Sequence, residues 1–231
     1  MTDEKFAVED DFLSVGRTFA EYRRLFDIDP AELAGLSVLD CGGGASAFTA
    51  VAAEIGADAT AVDPMYGPSA EELEAELDDA VEYNVSQLQE QRESFVWDFY
   101  GGVDTRERYL RAAHERFLAD YVANPERYVI GALPDLPVTD GAVDLALASN
   151  LLFLYDDRLD LAFHEAAARE LARVADETRI FPLASLDRTR SAFVEPVVER
   201  LRADGIEAEL REVPYEFQPG ATEMLVVGAE S

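Results

Sequence analysis

Lysine is all but missing from this chain: of 19 basic residues, only Lys5 is not an arginine. Set against 48 acidic residues, this leaves a formal charge of −29. No basic stripe is visible, which argues against a surface for nucleic acid, since such surfaces gain affinity by neutralising phosphates with Lys and Arg. Cysteine occurs once, as Cys41, so no internal disulfide can form. One cysteine and two histidines do not make a zinc site, and no metal is expected. No apolar run is long enough to span a bilayer, so no membrane partner is expected. The first eleven residues are acidic where a secretory signal would be basic, which gives the expectation of a cytoplasmic chain. With 48% hydrophobic residues the chain is not disordered, and 231 residues suit one α/β domain with an insert.

The most informative segment is Leu36-Ser37-Val38-Leu39-Asp40-Cys41-Gly42-Gly43-Gly44-Ala45-Ser46. An apolar run enters a glycine turn, a helix-like stretch follows to Ile55, and a second apolar run over 59–62 closes on Asp63. Glycines let backbone approach a ligand with no Cβ in the way. A helix start behind them offers unpaired N–H groups and a positive dipole end. An aspartate closing the second strand can take two ribose hydroxyls. The pattern describes a nucleoside-bearing ligand over the carboxyl ends of parallel strands. Gly42-x-Gly44-x-x-Ala47 fits a dinucleotide fingerprint. Asp40, two positions before the first glycine, opposes a pyrophosphate there by Coulomb repulsion. S-adenosylmethionine, with a sulfonium, an ammonium and no phosphate, suits the site better.

Asp40-Cys41-Gly42-Gly43-Gly44-Ala45-Ser46 resembles the Asp-x-Gly-x-Gly-x-Gly loop of class I SAM-dependent methyltransferases, with Ser46 in place of the last glycine. Asp63 matches their ribose-binding acid. Leu136-Pro137-Val138-Thr139-Asp140 followed by Val143-Asp144-Leu145-Ala146-Leu147-Ala148-Ser149-Asn150 resembles the run around their fourth strand. Gly16-Arg17-x-x-x-Glu21-Tyr22, Asp63-Pro64-x-Tyr66, Leu151-Leu152-Phe153-Leu154-Tyr155 and Arg179-Ile180-Phe181-Pro182-Leu183 look like a subgroup whose acceptor these motifs do not specify. The resemblance implies a doubly wound, mostly parallel seven-stranded α/β sheet with an antiparallel C-terminal strand, the Rossmann-like methyltransferase fold. It also implies S-adenosylmethionine held by Asp40, Gly42, Gly43, Gly44 and Asp63. Many relatives place an acid just after strand three for the adenine amino group. Here that stretch is Gly131-Ala132-Leu133-Pro134, which leaves adenine to backbone groups and Leu133. The lysine-poor, acidic composition resembles that of haloarchaeal proteins, whose self-repulsion is relieved by salt.

Apolar spacing predicts a helix over 12–27, with Phe12, Val15, Phe19, Tyr22 and Phe26 on one face and Arg17, Glu21 and Arg24 off it. Such a helix could fold over the ligand and offer Arg17 to its carboxylate; equally, Arg17 could be a solvated charge. Strands are predicted at 37–41, 59–63, 128–132, 143–149, 178–183, 206–214 and 222–229. Helices are predicted at 46–55, 158–174 and 189–204. The link 215–221 is too short for a crossover, so the last two strands should be antiparallel. Some sixty residues separate Asp63 from Tyr128, more than one crossover helix requires. A helical lid over 66–126 is therefore expected, with Leu73, Leu77, Val81, Asn84 and Leu88 on one face and Leu110, His114, Phe117 and Tyr121 on another. An aromatic turn, Phe95 to Gly102, lies between them.

Methyl transfer needs alignment and exclusion of water, and needs a base only if the acceptor must lose a proton. His114 is the candidate acceptor-side base, or else a packed imidazole. His164 reads as a core residue. Trp97 and Tyr100 are candidates for binding a small-molecule acceptor, or form the small core of the insert. Asn150, ending strand four, belongs beside the methyl position or in a turn. Cys41 reads as a small buried residue. A nicotinamide-dependent oxidoreductase and a SAM-binding protein without transfer activity are the competing readings.

Overall fold

The computed structural model describes residues 12–228. In chain order the elements are α1 (Phe19–Leu25), α2 (Pro30–Leu33), β1 (Ser37–Cys41), α3 (Phe48–Glu54), β2 (Asp58–Val62), α4 (Ala70–Glu90), α5 (Val103–Ala123), β3 (Tyr128–Val129) and β4 (Val143–Ser149). They continue with α6 (Leu161–Val174), β5 (Ala175–Phe181), α7 (Val194–Ala203), β6 (Glu207–Glu212) and β7 (Glu223–Gly228). The seven strands form one sheet in the order β3-β2-β1-β4-β5-β7-β6. The pairs from β3 to β5 are parallel, and β7 runs antiparallel to both β5 and β6. This is the doubly wound α/β fold with an antiparallel C-terminal strand.

Alternation along the central strands builds two cores, because successive side chains leave a strand on opposite faces. Val38, Leu145 and Leu147 pack with Tyr22, Phe26 and Phe48 on one side. Leu39, Cys41, Ala146 and Ala148 pack with Leu171 and Val197 on the other. Strands covered on both faces read as near-continuous apolar runs, which is why β1 and β4 lie where the sequence predicts them. The order reverses between β1 and β4, and ligands in open α/β sheets bind outside the carboxyl ends at such a point.

The helix expected over 12–27 is shortened to α1. Thr18 caps it: the Glu21 amide donates to the Thr18 hydroxyl, and the Glu21 carboxylate accepts from the Thr18 amide at 2.7 Å. Such a reciprocal pair starts a helix. Gly16 has φ +50°, in the left-handed region, and a Cβ there would lie 2.3 Å from the Ala45 carbonyl oxygen. Residues 12–17 therefore form a non-helical strap across the carboxyl ends of the sheet. Phe12 and Val15, which create the helical spacing on paper, instead line a cavity beneath it.

The insert between β2 and β3 holds α4 and α5, joined by the aromatic turn. Ser69 and Glu72 form a capping box at the start of α4. Leu88 clusters with Val103 and Leu110, while Leu73 and Leu77 cluster with Phe117, so the helices run antiparallel. Strand β3 is two residues long at the sheet edge, shorter than predicted. It stops before Gly131, where a Cβ would lie 2.7 Å from Pro137 and 2.8 Å from Val62. The last predicted strand residue, Ala229, and the acidic stretch 1–11 fall outside the described residues. Among the described residues, no helix is long and apolar enough to cross a membrane.

Candidate functional site

A cavity of about 400 Å³ opens at the carboxyl ends of β1, β2, β4 and β5, within the size range of small-molecule sites. Its floor is the glycine turn, Gly42 to Gly44, and its inner wall holds Asp63, Leu133 and Asn150. Asp63 follows directly on β2 and holds the turn: one carboxylate oxygen accepts from the Gly44 amide and the other from the Met65 amide, each at 2.9 Å. Burial raises the Asp63 carboxyl above its usual range, and those two backbone donors oppose the rise. Tyr66 fastens the same turn from below, its hydroxyl donating to the Gly44 carbonyl at 2.9 Å.

Asp40 does not line the cavity. It lies beneath Gly43, at 1% exposure, with the Tyr22 hydroxyl 2.8 and 3.1 Å from its two oxygens. Burial pushes its carboxyl up to about 7, against the lowering effect of the Tyr22 bond. Any charge it carries acts through the turn rather than by contact. Cys41 borders the cavity, and burial pushes its thiol up, away from nucleophilic use.

The strap is the roof. Its Leu13 amide donates to the Tyr155 hydroxyl at 3.0 Å, its Arg17 amide to the Ser46 hydroxyl at 3.1 Å, and the Ala47 amide donates back to the Arg17 carbonyl at 2.9 Å. A Cβ on Gly44 would lie 2.5 Å from Ser14 Oγ, so this glycine makes room for the strap. Arg17 turns its guanidinium along the roof, donating to the Asn150 side-chain carbonyl at 3.2 Å and the Gly16 carbonyl at 2.9 Å, while its Nε has no hydrogen-bond acceptor and lies 3.6 Å from the Glu21 carboxylate. Asn150 adopts φ +54°, and its amide donates to the Phe181 carbonyl at 2.7 Å. Arg17 and Asn150, far apart in sequence, thus meet at one wall.

Trp97, Tyr100 and His114 do not line this cavity. Trp97 packs edge-on against Phe217 and donates to the Arg92 carbonyl at 2.8 Å. Tyr100 is buried behind the wall and donates to Glu21 at 2.5 Å. His114 is buried against the backbone of Val15, and burial lowers it to about 4, which keeps it neutral and a weak base. His164 is wholly buried, its two ring nitrogens facing the Asp160 and Leu152 carbonyls. Among the described residues no three His, Cys, Asp or Glu side chains group around a metal position.

The outer wall comes from residues that sequence reading did not assign to the site. Asn84 and Leu88 reach it from α4, Arg106 from α5, Leu186 from the loop after β5, and Tyr215 and Phe217 from the β6–β7 link. Arg106 is 1% exposed and donates to Glu21 at 2.9 Å. A signal for it existed. Val103, Arg106, Leu110 and Phe117 share one helix face, and a charge on an apolar stripe is unusual. The link from β6 to β7 gave no comparable signal.

No protein-family model matches the chain. It is 28% identical over 218 residues to an uncharacterized protein of Methanocaldococcus jannaschii, covering 94% of this chain and 96% of that one. Similar solved structures include a SAM-dependent methyltransferase from Aquifex aeolicus, at 16% identity and a TM-score of 0.46, covering 90% of this chain and 93% of that one. Another is a TehB-like SAM-dependent methyltransferase from Corynebacterium glutamicum, at 17% identity and a TM-score of 0.46, covering 87% of each chain.

Proposed function

We propose that this chain is a SAM-dependent methyltransferase acting on a small-molecule acceptor. The observation that carries the reading is the pairing of Asp63 with the Gly44 amide at 2.9 Å, at the carboxyl ends of adjacent parallel strands and in the same cavity as Arg17. Asp63 would take the ribose hydroxyls, and the backbone of 131–132 with Leu133 would take adenine. Gly42 to Gly44 would pass beneath the methionine portion, with Arg17 toward its carboxylate. Asp40, below the turn, favours a cationic ligand over a pyrophosphate when it is ionised, above about pH 7 in the empty site. When bound, S-adenosylmethionine supplies a methyl group on sulfonium, a good leaving group. The chain contributes alignment, held by Asn150 and Arg17, and a roof at 12–17 that keeps water out. Asp63 is the single acidic side chain lining the cavity among the described residues, and His114 lies outside it. No side chain is therefore placed to act as acceptor base, which favours an acceptor that is already nucleophilic. The acidic, lysine-poor composition supports a salt-rich, haloarchaeal cytoplasm as the setting.

Calorimetry with S-adenosylhomocysteine and with NADH tests the reading. Binding of the first and not the second is expected. The reverse result would overturn it in favour of a nicotinamide enzyme. Tight binding without methyl transfer to any acceptor would leave a SAM-binding protein.

A further inference from the structure

Asp40 is a buried carboxyl without a counter-charge. It is 1% exposed, and among the described residues no basic side chain pairs with it. The titratable groups near it are neutral or acidic: Tyr22 of α1, the Asp63 carboxyl after β2, Tyr66 beside Gly43, Tyr128 of β3 and the Cys41 thiol. A buried carboxylate needs a partner of opposite charge, and without one it takes up a proton. Burial accordingly raises this carboxyl to about 7, and Asp63 adds to the rise.

The hydrogen bonds around Asp40 are nonetheless arranged for its ionised form. Tyr22 donates to it, with the hydroxyl 2.8 and 3.1 Å from the two carboxyl oxygens. The Ser46 and Ser149 hydroxyls face the Tyr22 oxygen. Ser46 in turn accepts from the Arg17 amide at 3.1 Å, and Ser149 from the Asn150 side-chain amide at 2.7 Å. Each serine, having accepted, still has its own hydrogen to offer Tyr22. Two chains of donors thus run from the roof and from the Asn150 wall to one carboxyl, and such chains strengthen one another toward a charge at their end. Asp40 is also close to the cavity floor: a Cβ on Gly43 would lie 3.0 Å from its Oδ2, so the turn alone separates the two. A cation resting on the turn would supply the missing partner.

We infer that binding a cation over the glycine turn expels the proton of Asp40, so that the site exchanges one proton for one positive charge of its ligand. The carboxyl O–H bond breaks, its electron pair stays on Asp40, and the proton leaves to solvent. The inference rests on the S-adenosylmethionine reading for the ligand, which brings two cations, an ammonium and a sulfonium. Below about pH 7 the empty site holds a proton that the loaded site has lost. Affinity therefore rises with pH in that range, by up to about tenfold per pH unit for one proton released, and levels off above it.

Calorimetry at about pH 6, in buffers of different ionisation enthalpy, counts the protons released on binding. The probes are S-adenosylmethionine, S-adenosylhomocysteine and 5′-methylthioadenosine, which carry an ammonium and a sulfonium, an ammonium alone, and no charge. Release approaching one proton is expected with S-adenosylmethionine. Little is expected with the uncharged nucleoside, which still offers its ribose to Asp63. Equal release with S-adenosylhomocysteine assigns the ammonium as the partner of Asp40; release with S-adenosylmethionine alone assigns the sulfonium. In Asp40→Asn the release should vanish, while Asp63 titrates in both proteins and drops out of the difference. Tyr22→Phe removes a donor that favours the carboxylate, so the rise in affinity should move to higher pH, a change that a merely structural loss would not produce. Binding of S-adenosylmethionine with no proton released would overturn the inference and leave the methyltransferase reading standing. So would equal release by the uncharged nucleoside, or a release that survives in Asp40→Asn. If no probe binds at any pH, the methyltransferase reading falls together with the inference.

Discussion

Glu21 of α1 and Arg106 of α5 are 85 residues apart in sequence, and they form an ion pair of 2.9 Å with both side chains withdrawn from solvent. Tyr100 donates to the same Glu21 oxygen, and Tyr215 bonds to Tyr100 at 2.8 Å, so the insert, the strap helix and the β6–β7 link meet at one carboxylate. Removing one member of a buried pair strands the other charge. Glu21→Ala should therefore cost about 3–5 kcal/mol in urea unfolding, while the double Glu21→Gln, Arg106→Gln variant should cost clearly less than the sum of its singles. Additive losses would mean that the pair is not coupled.

Asp63 faces the cavity and holds the glycine turn. Asp63→Ala should weaken S-adenosylmethionine binding by about 1.5–3 kcal/mol, the value of hydrogen bonds to a charged group. Calorimetry reads this directly, and an unchanged affinity would remove Asp63 from the site.

Asp40 makes a pH-dependent contribution whose sign follows from its burial. Its folded carboxyl titrates at about 7, against an ordinary value of 3.8. Below 3.8 both folded and unfolded states hold the proton and nothing is lost. Between 3.8 and about 7 the folded state holds a proton that the unfolded state has released, so stability falls as pH rises. Asp40→Asn lacks this penalty. Its stability relative to the parent should rise through that window, by on the order of 4 kcal/mol in total. Urea titrations of both proteins at several pH values give the difference, and a flat difference would show that Asp40 is ionised in both states.

The charge of −29 predicts a melting temperature that rises as monovalent salt goes from low to molar levels, because screening shortens the reach of repulsion. Calorimetric scans over that range check it. A flat or falling melting temperature would end the halophilic reading.

The strap is fastened by a few polar contacts, from Leu13 to Tyr155 and from Arg17 to Ser46, and it roofs the cavity. Ligand contacts should favour its closed arrangement. Hydrogen exchange at 12–17 and at 84–95 should slow when S-adenosylhomocysteine is added, more than in α7, none of whose residues lines the cavity. Exchange indifferent to ligand would make both segments fixed parts of the fold.

Local signals were enough for the floor of the site. Val38, Leu39 and the run from β4 are apolar on both faces, which only a covered parallel strand requires. The glycine turn and Asp63 stand at the ends of such strands, so their meeting follows from chain order alone. The short link 215–221 likewise made the last pair antiparallel. The insert was legible from length and from two apolar stripes, one of which already carried Asn84.

The roof and outer wall were decided by the tertiary structure. The spacing of Phe12, Val15 and Phe19 is helical on paper, but a two-residue-wide signal at Thr18 and Gly16 overrides it and turns 12–17 into a strap. Trp97, Tyr100 and His114 looked like acceptor residues because aromatic and imidazole groups stand out in a sequence; packing sets them behind the wall instead. Arg106, Tyr215 and Phe217 join the cavity through contacts between segments distant in the chain. Periodicity and turn chemistry act over a few residues, so the sequence by itself determined the sheet, the glycine turn and Asp63. Which distant side chains close over them depends on how the insert and the β6–β7 link pack, and that is settled only when the two cores form.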